Sequence, residues 1–313
     1  MSAMQLEVTH ETRYDYSAPV SLAHHLAHLR PLSDAHQQLL CFDLEIDPAP
    51  SHSRDGHDRL GNAERHFSLA LPHRNLRVRA TSRVQLRPRF DRLQPESAPA
   101  WDAVAARLRY KAPGTAGHAG LIPEVEFALP SPYVPRLVAM RGFTQASFTP
   151  GRPLAAAAID LMQRIHAQFA YKARSTQIDT PLVDVWEKRR GVCQDFAHVM
   201  AGAMRMLGLP VRYVSGYLLT KTPAGTALQG ADASHAWVQA WCPGTVGVPA
   251  DGWLDLDPTN GLVPDTGHVR LAVGRDFGDV TPLRGVIRGG GRHCMTVAVS
   301  TRVAIPLPKE SAS

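Results

Sequence analysis

The chain has no apolar run approaching the ~18 residues that a helix needs to cross a bilayer, and its opening residues 1–11 are polar and alternating. They lack the basic, apolar and small-residue regions of a secretory leader. These absences exclude a membrane-spanning helix and set the expectation of a cytoplasmic location. Cysteine is scarce. Cys41, Cys193, Cys242 and Cys294 stand far apart, and none are paired at the spacing of a zinc or redox motif. Such spacing without a leader predicts reduced thiols, so each cysteine is judged by its surroundings. An acidic excess is also missing, since 34 Lys and Arg against 28 Asp and Glu leave a net charge of +6. Basic charge can serve nucleic acid, an anionic membrane or an acidic substrate. Here the arginines are scattered, and in the densest stretch, residues 74–92, they mostly alternate with apolar residues. That is the wet face of a strand, and no nucleic-acid motif accompanies it. The expected partners therefore include neither nucleic acid nor membrane.

What is there divides in two. Residues 4–93 read as β-structure: residues 5–16, 40–46, 65–71 and 76–86 alternate, and Pro48, Pro50 and Gly61 punctuate them. Short strands broken by turns predict a sandwich-like domain. Residues 153–169 predict a helix, opened by a proline and carrying Ile159, Met162, Ile165 and Phe169 at helical spacing. A second helix begins near Gly191, with Phe196, Met200, Ala203 and Leu207 on one side, and Gly208 and Pro210 end it. Strands follow over residues 211–219, 235–241, 253–257 and 296–305. Helices followed by an antiparallel sheet give an α+β fold. The expected division is a β domain over residues 1–93, a connector over 94–152 and a core of helices on a sheet over 153–313.

Cys193 falls at the start of the second helix. Free N–H groups and partial positive charge there favour a thiolate, the nucleophilic form of the residue. The same N–H groups can receive an oxyanion. A thiol nucleophile needs a base, and the base needs an orienting partner. His235, Trp237, Gln239 and Trp241 share one face of an alternating strand, while Trp253, Asp255 and Asp257 share a face of the next. If Trp241 stands opposite Asp251, then His235 stands opposite Asp257, within side-chain reach. In a different register, Asp255 takes that place. The alternative for each residue is structural: a small buried thiol, and a histidine packed beside aromatics.

The stretches Arg190-Gly191-Val192-Cys193-Gln194-Asp195-Phe196-Ala197-His198, Gly208-Leu209-Pro210-Val211-Arg212-Tyr213-Val214-Ser215-Gly216-Tyr217, Ser234-His235-Ala236-Trp237-Val238 and Gly252-Trp253-Leu254-Asp255-Leu256-Asp257-Pro258-Thr259-Asn260 occur in this order. In them the chain resembles the bacterial transglutaminase-like family, whose core belongs to the papain-like group of thiol enzymes. The likeness extends to Asp58-Arg59-Leu60-Gly61-Asn62 in the β-region and to the tail around Gly274-Arg275-Asp276 and Pro282-Leu283-Arg284-Gly285. The resemblance implies a Cys193, His235, Asp257 triad and no cofactor or metal.

The chemistry expected is attack of the Cys193 thiolate on an amide carbonyl, a thioester, and release of the amine with a proton from His235. The substrate class is a peptide or protein amide. Hydrolysis is the expected outcome, with acyl transfer to an amine and a non-catalytic peptide-binding module as alternatives. Gln194 is a candidate oxyanion donor, and Trp241 a candidate wall of the acyl site. Asp195 is expected to complement the helix dipole, and His198 to pack against the sheet. His24 and His28 would share a face only on a helix, and no matching Glu or Cys accompanies them, so no metal site is expected there.

Overall fold

The computed structural model describes residues 3–109, 122–173, 175–219 and 234–304. Five strands open the chain: β1 (Met4–Ala27), β2 (Gln37–Asp47), β3 (His52–His57), β4 (Ala63–Leu69) and β5 (His73–Leu86). Alternation in β1 and β5 buries one face of each, with Leu6, Val8, Val84 and Leu86 among the buried residues. β1 is long enough to serve two half-sheets. Residues 4–15 pair with β5, and residues 23–27 pair with β4. β2 extends the first half and β3 the second. Tyr16, Val20 and Ala23 of β1 share a core with Phe67, Leu69, Leu76 and Val78.

The helices follow as α1 (Trp101–Leu108), α2 (Arg141–Ser147), α3 (Leu154–Gln168), α4 (Leu182–Lys188) and α5 (Cys193–Arg205). α3 and α5 agree with the periodicity that predicts them. Residues 94–152, read from sequence as a connector, supply α1 and α2. They place Val104, Leu108, Phe127, Met140 and Phe148 in the same core as α3 and α5. Two short strands, β6 (Ala170–Tyr171) and β7 (Arg190–Gly191), pair in parallel beside the start of α5.

β8 (Val211–Leu218), β9 (His235–Trp241), β10 (Trp253–Leu256) and β11 (His268–Gly274) form an antiparallel sheet in the order β10-β9-β8-β11. Helices on one face of this sheet make the fold α+β. The last strands are β12 (Leu283–Gly289) and β13 (His293–Val303). The sequence pattern groups the tail strand with the second sheet. Instead β12 and β13 both pair with β1, so the tail returns to the first sheet. The two sheets meet through Leu6, Val8, Val84 and Leu86 on one side and Tyr217, Leu219, Val269 and Leu271 on the other. No helix among the described residues is long and apolar enough to cross a membrane.

Candidate active site

α5 begins abruptly at Cys193. Val192 before it is extended, and its N–H donates to Asp195 Oδ2 at 2.8 Å. Asp195 also accepts from Thr176 Oγ1 at 2.6 Å. Burial raises the Asp195 pKa, and these two hydrogen bonds act against it. The side chain thus reaches back to hold the chain entering the helix, a more specific task than complementing the dipole. Gly191 is required beside it, since a Cβ there would lie 2.5 Å from Asp195 Oδ2. Cys193 is half-buried, with its Sγ 4.0 Å from the Ser234 carbonyl oxygen.

His235 opens β9 and is buried. Its Nε2 lies 2.9 Å from Asp257 Oδ2. Nε2 is therefore the protonated donor, and the buried Nδ1 has no hydrogen-bond partner of ordinary geometry. Burial opposes a charge on this ring. Asp257 and the adjacent Cys193 overcome it and raise the pKa to about 10. Asp257 is fully buried just beyond β10. Its Oδ1 accepts the Thr259 N–H at 2.9 Å and the Asn260 N–H at 3.2 Å. Its Oδ2 accepts from His235, from Asn260 Nδ2 at 2.8 Å and from His268 Nε2 at 3.1 Å. Burial disfavours the carboxylate, but His235 and His268 outweigh it and hold the pKa far below the usual carboxylate range.

The assumed strand register needs correction. Trp253 stands opposite Trp241, and Leu256 opposite Val238, so the pairing is displaced by two residues from Trp241 opposite Asp251. Asp257 reaches His235 because the chain leaves the ladder at Leu256 and turns, with Asp257 bridging Leu262. Asp255 stands opposite Gln239, and its Oδ2 lies 3.9 Å from Arg89 Nη1. Trp241 also needs correction. It lies six residues from His235, about 20 Å along the strand, and packs with Trp253 and Leu254 in the helical core. Gln194 does not aim at the thiol, because its Nε2 donates to the Ile178 carbonyl at 3.1 Å. His198 is buried in α5. It accepts the Phe277 N–H at 3.2 Å and packs its ring near Tyr133 and Tyr213.

Three residues of the site were not singled out from sequence. His268 and Asn260 complete the shell of Asp257. His268 carries no local signal, since only the pairing of β11 with β8 brings it near. Asn260 follows the Asp-Pro-Thr turn, where a side chain folding back on the aspartate could have been anticipated. Tyr213, on β8, is buried, which pushes its phenol pKa well up, and the neighbouring Cys193 pushes in the same direction. Trp237 is fully buried between the two histidines, with ring centroids 6.0 Å from His235 and 5.3 Å from His268. Gly216, opposite His235 on β8, leaves room for it: a Cβ there would strike both the Trp237 ring and the Val269 carbonyl.

Residues 6–85 match the bacterial transglutaminase-like N-terminal region, and residues 142–258 match the transglutaminase-like superfamily. An uncharacterized protein of Mycobacterium tuberculosis is 37% identical over 281 residues, covering 90% of this chain and 86% of that protein. A protein-glutamine gamma-glutamyltransferase of Pseudomonas aeruginosa is 37% identical over 111 residues, which is 34% of this chain and 16% of that enzyme. Among solved structures, one from Cytophaga hutchinsonii named a "Putative Cysteine Protease" superposes with a TM-score of 0.70 at 20% identity, covering 99% of this chain and 93% of the other. The chain belongs to the transglutaminase-like superfamily, with the bacterial transglutaminase-like N-terminal region preceding its core.

Proposed function

We propose that this protein is a thiol enzyme acting on amide bonds, with Cys193 as nucleophile, His235 as proton carrier and Asp257 as the group that orients His235. The observation that supports this most is the imidazole itself. One ring nitrogen is fixed on a buried carboxylate, and the thiol at the start of α5 interacts with the same ring. An aspartate so placed sets the tautomer and stabilises the imidazolium.

Attack of Cys193 Sγ on the amide carbon forms a C–S bond and a tetrahedral oxyanion. The Cys193 N–H, in the first turn of α5, is free of an intrahelical acceptor and is the assigned donor to that oxyanion. Collapse breaks the C–N bond, and His235 gives its proton to the departing amine. Water then attacks the thioester carbon as His235 takes its proton, and the C–S bond breaks to release the acid and restore the Cys193 thiolate beside the imidazolium. The proposed reaction is hydrolysis of a peptide, glutaminyl or γ-glutamyl amide. Acyl transfer to an amine is the second reading. It gains support from the similarity of 111 residues to a relative named a gamma-glutamyltransferase.

Alkylation by iodoacetamide near neutral pH, followed by peptide mass mapping, tests the nucleophile. Cys193 is expected to react faster than Cys41 and Cys294, which are exposed, and faster than Cys242, whose thiol burial pushes up to about 12. Equal rates at Cys193 and the two exposed thiols would remove the case for an activated nucleophile. Turnover of a glutaminyl peptide with and without a primary amine separates the two outcomes. Free acid as the sole product, even with amine in excess, eliminates transfer.

A further inference from the structure

We propose that His28, Asp58 and Glu64 hold a divalent first-row transition cation, Zn2+ being the best match, at the junction of the two sheets. His28 follows β1 and is 1% exposed. Its Nδ1 lies 3.1 Å from the Thr281 carbonyl oxygen, an acceptor only, so Nδ1 carries the proton. Nε2 therefore points the other way. Nε2 is buried and makes no hydrogen bond. It faces Glu64 Oε1 at 3.4 Å, and it lies with oxygens of Glu64 and Asp58 in a cluster whose ligand atoms are all within 4.8 Å of one another. A ring nitrogen turned toward two carboxylates needs positive charge between them, and a bound cation supplies it. The 3.4 Å separation is the informative distance. Ligands about 2.1 Å from a tetrahedral ion stand about 3.4 Å apart.

The surroundings hold each donor in place, as the outer shell of a metal site does. Thr281 fixes the His28 tautomer. His66 Nε2 lies 3.2 Å from Glu64 Oε2 and leaves Oε1 for the cluster. Asn62 Nδ2 donates to Asp58 Oδ2 at 2.7 Å, and the N–H groups of Leu60 and Asn62 hold Oδ1 at 2.8 and 2.9 Å. One imidazole and two carboxylates suit a transition cation better than Mg2+ or Ca2+, which favour all-oxygen shells. The ion would tie Asp58, in the β3–β4 turn, and Glu64, at the start of β4, to the end of β1. There the His28 N–H also donates to the Pro282 carbonyl at 2.9 Å. Its role is to brace the fold, separate from the chemistry at Cys193.

The probe is Zn2+ added to the full chain carrying Cys193→Ala, with Cys41 and Cys294 alkylated so that thiols do not compete. One equivalent should bind saturably and raise the melting temperature. His28→Gln and Glu64→Gln, added singly, should each weaken binding at least ~10-fold and abolish the thermal shift. Absence of saturable Zn2+ binding to the parent overturns the proposal and leaves a proton-mediated His28–Glu64 contact. Undiminished binding to a folded Glu64→Gln protein overturns it as well. If His28→Gln fails to fold, Glu64→Gln decides alone, because Glu64 is partly exposed and its loss leaves the core intact.

Discussion

At the scale of the residue, His235 and Asp257 stabilise each other's charged forms across a buried hydrogen bond, and this fixes the sign of their pH dependence. The folded pKa of His235 lies above its unfolded value of 6.5. Its contribution to stability is therefore complete below that value and is lost as pH rises toward about 10. Asp257 is shifted the other way. Its contribution is present above the ordinary 3.8 and is lost as pH falls below it. Asp257→Asn removes the larger of the two charges that oppose burial at His235, so the imidazole pKa falls. In urea titrations the wild-type protein should lose stability between pH 8 and 10, by up to about 1.4 kcal/mol per pH unit for one proton. The variant should lack that slope. Its Cys193 alkylation rate at pH 7 should fall at least ~10-fold, the effect of one pKa unit. A variant that keeps both the slope and the rate would show that Asp257 does not govern His235. Asp255→Ala is the control, because Asp255 meets Arg89 rather than the imidazole.

At the scale of the element, alternation and periodicity located β9, β10, α3 and α5 within a few residues. They also put Cys193 at a helix start and His235 on a strand. They did not set the register of β9 against β10. Residues 242–252 join the two strands, and a connection of that length imposes no turn geometry, so the pairing depends on tertiary packing. The assumed register matches His235 with Asp257 by direct opposition; in the structure the two meet instead because an aspartate just past the strand end reaches diagonally to the histidine. The partner of β13 was illegible for a related reason, since a strand's pattern does not say which distant edge it will meet. Residues 94–152 show no sustained period, and their place in the core emerges only when α3 and α5 are present to receive them. The start of α5 gives an element-scale prediction. Gly191→Ala places a methyl group against Asp195 and should displace it from the Val192 N–H and from Thr176. The expected cost is about 1–3 kcal/mol of stability, with slower alkylation of Cys193 in protein that remains folded. A wild-type denaturation midpoint and alkylation rate together would show that Asp195 does not position the helix start.

At the scale of the whole molecule, the second sheet ends in an unprotected edge at β11, and an edge needs cover. The first half supplies it with two buried side-chain amides that act as short pieces of a missing strand. Gln37 Nε2 donates to the Arg270 carbonyl at 2.7 Å, while Gln37 Oε1 accepts the Arg270 N–H at 2.7 Å. Three residues along, Asn62 Nδ2 donates to the Val273 carbonyl at 2.7 Å, and its Oδ1 accepts the Val273 N–H at 2.8 Å. An amide is the one side chain that offers both donor and acceptor in the spacing of a peptide group. Alanine at position 62 strands the Val273 N–H and carbonyl. Alanine at position 37 strands the Arg270 N–H and takes the donor from the Leu32 carbonyl, while the Arg270 carbonyl keeps the Leu32 N–H at 3.1 Å. The cost is roughly 1–3 kcal/mol for each unpaired group. Asn62→Ala and Gln37→Ala should therefore each lower stability by about 2–5 kcal/mol in chemical denaturation. Hydrogen exchange should rise selectively at the Arg270 and Val273 amides. The double variant should cost less than the sum, because once one clamp is gone β11 can move and admit water to the other. Exchange at these two amides unchanged from the wild type, in variants shown to be folded, would mean that the apolar contact of Leu6, Val8, Tyr217 and Val269 holds the sheets together unaided. The sequence offers little warning of this arrangement, since Gln37 and Asn62 look like ordinary loop and strand-end amides until the two sheets are brought face to face.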